Sequence, residues 1–171
     1  MSDRPNDILL EVVRVCAMAL KPLGFKKSGN SLSLINKGNL GLIEFQKSRT
    51  NDERILRFTV NLAVVSAKLL DKFEPSINKA TSANAHLRLR LGMLLPKVLK
   101  DQWWEISAKE SVDQLAAELS NALVQYGAPY VCSHISDDQL VELWMSGQSP
   151  GITEFQRNSY LQKLRDGACR S

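Results

Sequence analysis

Residues 86–91 place side chains that could bind an anion at every second position of the chain. His86, Arg88 and Arg90 alternate there with three leucines, and strict alternation is typical of a β-strand with one apolar face. On such a strand the imidazole and the two guanidinium groups would lie about 7 Å apart on one side. Because guanidinium groups bind carboxylates and phosphates in a forked geometry, this side predicts contact with a ligand, a partner or the protein's own acids.

Two other strand-like runs, residues 41–48 and 55–65, carry polar groups in the same alternating pattern. The first has apolar Ile43 and Phe45 between polar positions, and the second alternates in the same way from Phe58 onward. When the three strands are aligned side by side, one face is apolar and the other is polar. The polar face predicts a set of binding residues: Gln46, Ser48, Asn61, His86, Arg88 and Arg90.

The polar face has three interpretations, and the sequence leaves all of them open. It could be a solvated outer face, which antiparallel sheets often have. Its directional hydrogen-bonding groups also fit the recognition of a ligand or a partner. Alternatively, the C-terminal helices cover the face, and their acids pair with Arg88 and Arg90 in a buried polar network.

The adjacent indoles of Trp103 and Trp104 form a second candidate binding feature. Neighbouring residues of a regular element point to different environments, so we expect one indole in the core and one near the surface. An exposed tryptophan beside an arginine-rich face would suit an anchor for a protein partner. The alternative is that both indoles cover the end of the sheet.

No catalytic or metal-binding constellation is evident in the chain. His86 and His134 are the only histidines, and no cysteines or carboxylates stand at the spacing of a zinc site. Ser136 lies between His134 and Asp137, but it fits a helix cap better than a catalytic nucleophile. We therefore expect no catalytic residue, no metal ligand, no cofactor and no enzymatic activity. The alternative is an enzyme or a small-ligand-binding domain, with a concave pocket around Gln46, Asn61, His86 and Arg88.

The elements that position these residues define an α+β fold. We expect a first helix with Asn6 or Asp7 as its cap, ending near Leu20. The expected strands are residues 31–36, 41–48, 55–65 and 86–91. The expected later helices are one that ends at residue 126, followed by residues 137–145 and 153–164. They form an antiparallel sheet of about four to five strands, with the N-terminal helix and a helical C-terminal region packed on it. The chain is expected to be a single domain: residues 1–171, with a core at 8–130 and a helical extension at 131–171.

Two segments have weaker patterns. Residues 66–85 mix Pro, Ser, Asn and Thr with a short apolar patch, which predicts a partly helical insertion or a long loop. Either Ser107 with Glu110 or Ser111 with Gln114 fits the start of the helix that Gly127 would end. Residues 128–132 would then form a short edge strand, because their proline cannot donate to a sheet.

Charge is unevenly distributed along the 171 residues, which carry a net charge of +4. Residues 1–100 hold 17 Lys and Arg against 8 Asp and Glu, whereas residues 101–171 hold 5 against 10. A basic half can mark a nucleic-acid surface, whose affinity would fall steeply with added salt. The basic residues are not interleaved with exposed aromatics, however, so nucleic acid is an alternative and not the partner that we expect.

The chain has no sign of a membrane span or a secretory signal. No apolar stretch approaches the roughly 20 residues that cross a bilayer, and the N-terminus is polar and carries acids. Three scattered cysteines, Cys16, Cys132 and Cys169, fit reduced thiols better than a disulfide framework. We therefore expect a cytoplasmic protein with no membrane partner.

Five short motifs occur in an order that resembles a known family. They are residues 23–27, 45–48, 58–62, 86–92 and 103–104. Together they are similar to the bacterial domain-of-unknown-function family 4304, over roughly residues 8–130. The chain departs from the family pattern at Ala63, where the family tends to have glycine, and in the idiosyncratic segment 66–85.

The resemblance implies a small bacterial domain with no established reaction. Families of this kind often lie beside toxin genes, which suggests an immunity protein or another partner-binding role. An immunity protein works by occlusion, in which a charged, aromatic-anchored surface covers the active site of a toxin. We therefore expect a non-enzymatic binding protein whose partner is another protein, with Trp103 and Trp104 added to the binding residues of the polar face.

Overall fold

The computed structural model describes residues 4–52, 54–107 and 111–169. The fold is α+β, as the sequence predicts, with an N-terminal helix, an antiparallel sheet and C-terminal helices. The helices are α1 (Pro5–Leu20), α2 (Val112–Ala122), α3 (Ala128–Ser133), α4 (Asp137–Met145) and α5 (Glu154–Ala168). The strands are β1 (Lys26–Ser28), β2 (Ser31–Asn36), β3 (Asn39–Lys47), β4 (Ile55–Val65), β5 (Leu87–Arg90) and β6 (Trp104–Ser107).

Helix α1 begins at a proline and buries one stripe of side chains. The predicted caps Asn6 and Asp7 are wrong, because the helix already starts at Pro5 and its N-cap is Arg4, which makes no side-chain capping bond. Proline suits the first helical position, since its φ is already helical and no amide hydrogen is needed there. The buried stripe repeats at the three- and four-residue spacing of one helix face: Ile8, Leu9, Val12, Val13, Cys16 and Leu20.

Over the described ranges the sheet has six strands, in the order β1-β2-β3-β4-β5, with β6 also paired to β4. β1 pairs with β2, and β6 pairs with residues 55–58 of β4, in both cases antiparallel. Lys37 and Gly38 connect β2 to β3, with φ values of 50° and 83°. Two successive left-handed residues are what the tightest hairpin turns require, because their twist matches that of the strands.

Alternation predicts β2, β3, β4 and β5, but it misses β1 and β6. The predicted strands 31–36 and 55–65 coincide with β2 and β4, whereas β3 begins two residues early, at Asn39, and β5 is shorter than residues 86–91. β1 has three residues, all of them exposed, so it has no apolar alternation to detect. β6 begins inside the tryptophan pair and is only four residues long.

The segment 123–133 differs most from the expectation. The chain leaves α2 in a π-helical turn, Leu123–Gly127, and continues directly into α3. The predicted edge strand at residues 128–132 is therefore wrong, and Cys132 lies in a helix. Its proline is tolerated because it lies in the first turn of α3, where an amide hydrogen is not required.

The caps of the C-terminal helices confirm the predicted starts. The side chains of Ser136, before α4, and Thr153, before α5, each accept a hydrogen bond from the backbone N–H three residues later. The glutamine at that position accepts a hydrogen bond from the backbone N–H of the cap. Ser111 caps α2 in a similar way. Residues 66–85 contain three short 3₁₀ turns, which agrees with the predicted partly helical segment. No helix within the described ranges has the length and apolarity that a bilayer crossing requires.

The chain divides into two compact units. The first unit comprises Met1–Ser33, Ile43–Asn61 and Arg90–Pro129. The second unit comprises Leu34–Leu42, Leu62–Leu89 and Tyr130–Ser171. Each unit has an apolar core of its own.

The core of the first unit contains a row of aromatic rings. The ring centroids of Phe45 and Phe58 are 6.1 Å apart, and those of Phe58 and Trp104 are 5.8 Å apart. The core of the second unit includes a cluster of small and aliphatic side chains: Leu40, Leu42, Ala63, Val65, Ala80 and Ala85. Because residues 62–65 of β4 are all buried, this end of the strand is covered on both faces.

Candidate functional site

His86 is a buried imidazole in the second unit. It is 4% exposed, and its Nδ1 accepts a hydrogen bond of 3.1 Å from the backbone N–H of Ser66. The ring of Tyr160 packs edge-on against it, with 5.0 Å between centroids. Burial lowers the pKa of His86 to about 4, so the ring is neutral at pH 7. Since Nδ1 accepts, the remaining proton is on Nε2, which is a hydrogen-bond donor.

A polar cavity of about 180 Å³ lies beside this imidazole in the second unit. Its walls come from the turn around residues 69–74, from residues 83–88 and from one face of α5. The side chains at 156, 160 and 163 share that face because they are four and three residues apart. The polar lining residues are Asp71, Glu74, Asn84, His86, Arg88, Gln156, Tyr160 and Lys163.

Close backbone contact fixes Arg88 at this cavity. The Arg88 N–H donates to the carbonyl of Pro150 at 3.2 Å. A Cβ added to Gly151, whose φ is 75°, would lie 2.7 Å from the Arg88 carbonyl oxygen. Only glycine fits such an approach, so the turn before α5 packs directly on the backbone of β5.

A hydrogen-bond network in the second unit joins Asn39, Ser66 and Asp137. Asn39 Nδ2 donates to the Ile135 carbonyl at 2.9 Å and to Asp137 Oδ1 at 2.8 Å. Asn39 Oδ1 accepts from the Ala67 N–H at 3.0 Å. The Ser66 hydroxyl donates to the same Asp137 oxygen at 2.7 Å. Sequence reasoning missed this network, because Asn39 and Asp137 are 98 residues apart and no local pattern links them.

Ser66, His86 and Asp137 have the residue types of a hydrolytic triad but not its connections. The serine hydroxyl donates to the aspartate, and the imidazole accepts from the serine's backbone amide. A triad needs the hydroxyl bonded to the imidazole and the imidazole bonded to the carboxylate. The bonds of this cluster instead link segments of the second unit that are far apart in the chain. In the part of the chain that the structure describes, no three His, Cys, Asp or Glu side chains group as metal ligands would.

Arg90 and Trp103 form a compact cluster in the first unit. The Arg90 guanidinium lies over the Trp103 ring, 5.1 Å from its centroid, and forms a salt bridge of 3.2 Å with Asp101. Trp103 Nε1 donates to the same carboxylate at 3.3 Å. Trp103 is 39% exposed and Trp104 is 7% exposed, which confirms the prediction of one surface indole and one buried indole. The carboxylate that accompanies Arg90 is therefore Asp101 and not an acid of the C-terminal helices.

Residues 91–103, which lead from Arg90 to Trp103, form a closed loop, the 91–103 loop. A Cβ on Gly92 would overlap the Lys100 carbonyl oxygen and lie 2.6 Å from Gln102 Cβ, so the two ends of the loop touch. The Thr59 hydroxyl donates to the Gln102 carbonyl at 2.7 Å, which ties the loop to β4. Compact surface loops with adjoining ends are often functional.

The other predicted binding residues of the first unit contact one another or nearby backbone. Asn61 Nδ2 donates to Gln46 Oε1 at 2.7 Å. The Ser48 N–H donates to the Arg57 carbonyl at 2.8 Å, and its hydroxyl lies 3.0 Å from that of Thr50. The cavity beside His86 is lined by the second unit, so Gln46 and Asn61 do not contribute to it, whereas His86 and Arg88 do.

A larger and shallower groove lies at the end of α1 in the first unit. It has a volume of about 520 Å³, and none of the predicted binding residues lines it. Its lining combines apolar and basic side chains: Arg14, Ala17, Met18, Lys21, Gly24, Phe25, Lys26 and Lys27.

The fold and these sites define an α+β protein with two candidate binding regions, the cavity beside His86 and the 91–103 loop. The chain belongs to the family described as Domain of unknown function (DUF4304), whose sequence profile matches residues 16–132. This match confirms the family that the five motifs predict. No curated protein and no solved structure matches the chain.

Proposed function

We propose that the protein is a non-enzymatic binding protein that docks on another protein through the 91–103 loop of the first unit. The observation that carries the proposal is the partly exposed indole of Trp103, held by the Arg90 guanidinium and the Asp101 carboxylate. An anchor that is fixed before binding loses little conformational entropy on docking. Tryptophan and arginine are also the side chains that most often dominate the energy of an interface.

Two further apolar side chains extend this contact surface along the loop. Met93 is 44% exposed and Leu99 is 63% exposed. Leu99 also has a φ of 46°, a left-handed conformation that costs a residue with a Cβ about 1 kcal/mol. Such strain is most often retained where function uses the conformation. Exposed apolar groups on a closed loop therefore support docking.

The charge of the loop indicates the chemistry of the partner. Arg90, Lys97 and Lys100 are basic, and Asp101 is the one acid between residues 90 and 103. We infer a partner whose apolar pocket is bordered by carboxylates. A toxin whose active site is covered in this way is one such partner, and occlusion would need no catalytic group in this chain.

The proposal includes a cytoplasmic location, which the free state of Cys16, Cys132 and Cys169 supports.

Site-specific photo-crosslinking tests this proposal. A benzophenone amino acid replaces Met93 in the full-length protein, and the matched control replaces Val124, which is 42% exposed in the same unit. In a lysate of the source organism we expect one discrete protein adduct from position 93 and none from position 124. Adding Trp103→Ala should remove the adduct, because the docking anchor is lost.

The purified partner then provides the affinity. Trp103→Ala should weaken binding by about 2 kcal/mol and leave the circular dichroism spectrum unchanged, whereas Val124→Ala should leave the affinity unchanged. An adduct that persists in Trp103→Ala, or equal adducts from both positions, would contradict the proposal. Adducts with RNA or DNA in place of protein would favour the nucleic-acid alternative.

A further inference from the structure

We propose that the polar cavity of the second unit binds a small zwitterion, of the class of free amino acids with short side chains. The inference goes beyond the docking function, because no residue of the 91–103 loop lines this cavity. It rests on the lining, in which two cations and two carboxylates face a small space beside a buried imidazole.

Three of the four charged groups of the cavity form no ion pair with another described residue. Among the residues that the structure describes, Arg88, Lys163 and Asp71 form no salt bridge. They act on the same rings nevertheless: Lys163 and Asp71 influence the pKa of His86, and Arg88 and Asp71 influence that of Tyr160. Unpaired groups of both signs around one space are complementary to a molecule that carries both signs.

Glu74 is the fixed part of the negative wall. Its Oε2 accepts a hydrogen bond of 2.8 Å from the Asp71 N–H, and its Oε1 accepts one of 3.4 Å from Asn84 Nδ2. The backbone bond is the main reason that the pKa of Glu74 is lowered, so this side chain is an anion at pH 7. Glu74 and Asp71 together offer acceptors for an ammonium group.

Four donors are available for the carboxylate of the ligand. They are the guanidinium of Arg88, the ammonium of Lys163, the hydroxyl of Tyr160 and the Nε2–H of His86. The backbone contacts of Arg88 with Pro150 and Gly151 fix the position of its Cα. Because burial holds His86 neutral, it donates a hydrogen bond without adding a third positive charge.

The size of the cavity limits the ligand. A volume of about 180 Å³ is below the roughly 300–1,000 Å³ of pockets for drug-sized molecules, and it corresponds to about six water molecules. A peptide or a nucleotide would extend beyond this space into solvent. A molecule of this size with one carboxylate and one ammonium group is an amino acid with a short side chain.

An NMR titration of the isotope-labelled full-length protein tests the inference with three matched probes. L-Alanine carries both charges, propionate lacks the ammonium group, and ethylammonium lacks the carboxylate. We expect L-alanine to shift the signals of Ser66, Tyr160 and Lys163 and to bind roughly tenfold more tightly than either analogue, because each lacks a charge-assisted hydrogen bond. Equal affinity for L-alanine and propionate would overturn the inference that the ligand is a zwitterion. Absence of shifts at these residues with all three probes would overturn the cavity as a binding site.

Substitutions test the basic and the acidic lining residues of the cavity separately. Lys163→Gln and Arg88→Gln should each weaken the binding of both L-alanine and propionate by roughly tenfold. Asp71→Asn should weaken the binding of L-alanine and leave the affinity for propionate unchanged. Arg165→Gln is the matched control, since this exposed residue of the same helix lies outside the lining. If Arg88→Gln does not fold, Lys163→Gln carries the test. L-Alanine binding that survives both Lys163→Gln and Asp71→Asn would refute the assignment.

Discussion

The imidazole of His86 makes the stability of the protein depend on pH in a defined direction. Burial is the main cause that lowers its pKa from 6.5 to about 4; Lys163 adds to the effect, whereas Glu74, Asp137 and Asp71 oppose it. The unfolded chain therefore takes up a proton on this ring at a higher pH than the folded protein does. The contribution to stability is complete above pH 6.5 and is lost as the pH falls toward 4.

We expect this effect in urea titrations followed by circular dichroism. The free energy of unfolding should fall by roughly 2 kcal/mol between pH 7 and pH 5 because of His86. His86→Gln removes the titrating ring and should flatten the slope, whereas the control His134→Gln should retain it. A slope that persists in His86→Gln would assign the pH dependence to a different group.

Asn39 stabilises the second unit through three hydrogen bonds, to the Ile135 carbonyl, the Asp137 carboxylate and the Ala67 N–H. Asn39→Ala would leave these groups without their partner, so we expect the free energy of unfolding to fall by about 2–4 kcal/mol. Chemical denaturation measures the change. Asn36→Ala, at an exposed position of β2, is the control and should change stability by less than about 0.5 kcal/mol. Equal effects of the two substitutions would contradict the structural role of the network.

At the scale of elements, the 91–103 loop depends on Gly92. A Cβ there would meet the backbone of Lys100 and Gln102, so Gly92→Ala should lower the free energy of unfolding by about 2 kcal/mol. Gly167→Ala is a matched control, because a Cβ on this helical glycine meets nothing within 4 Å and alanine favours a helix. Thermal denaturation should therefore separate the two variants, and a Gly92→Ala protein as stable as the parent would show that the loop can open at its base.

Sequence patterns predict an element correctly when its signal lies within a few residues. They fail when the surrounding structure determines the conformation. Alternation locates β2 and β4, and hydroxyl caps locate α4 and α5, because both signals act within a few residues. Pro129 suggests a break in the helix, yet the π-helical turn before it brings it into the first turn of α3. That outcome depends on the helical path of the preceding residues, which composition does not encode.

At the scale of the whole molecule, the three cysteine thiols differ in their exposure to solvent. Cys16 is fully buried, and burial raises its pKa to about 11. Cys132 is half-buried with a raised pKa, and Cys169 is exposed. We expect iodoacetamide to label Cys169 first, Cys132 more slowly and Cys16 only on global unfolding, because thiolates are the reactive species. Mass spectrometry of the alkylated peptides over time measures this order.

A Cys169→Ser variant should lose the fast phase alone. Labelling of Cys16 as fast as Cys169 in the folded protein would contradict the burial of α1. Because Cys16 reacts through unfolding, its labelling rate also provides a measure of global stability for the other variants.

The fold class was predictable from the sequence, but the grouping of the site residues was not. Alternation identifies Gln46, His86 and Arg90 as polar positions, yet it does not reveal which side chains fill their surroundings. His86 is buried and Tyr160 packs on it, and the partner of Arg90 is Asp101. Contacts between residues far apart in the chain depend on packing, and single-sequence patterns carry no record of them.

The unequal exposure of the three indoles also has a spectroscopic consequence. Trp103 is 39% exposed, whereas Trp104 and Trp144 are 7% and 1% exposed. A water-soluble quencher such as iodide therefore reaches chiefly the emission of Trp103. The side chain that we propose as the docking anchor is thus an intrinsic fluorescent reporter, and a partner that covers it would protect that emission without any added label.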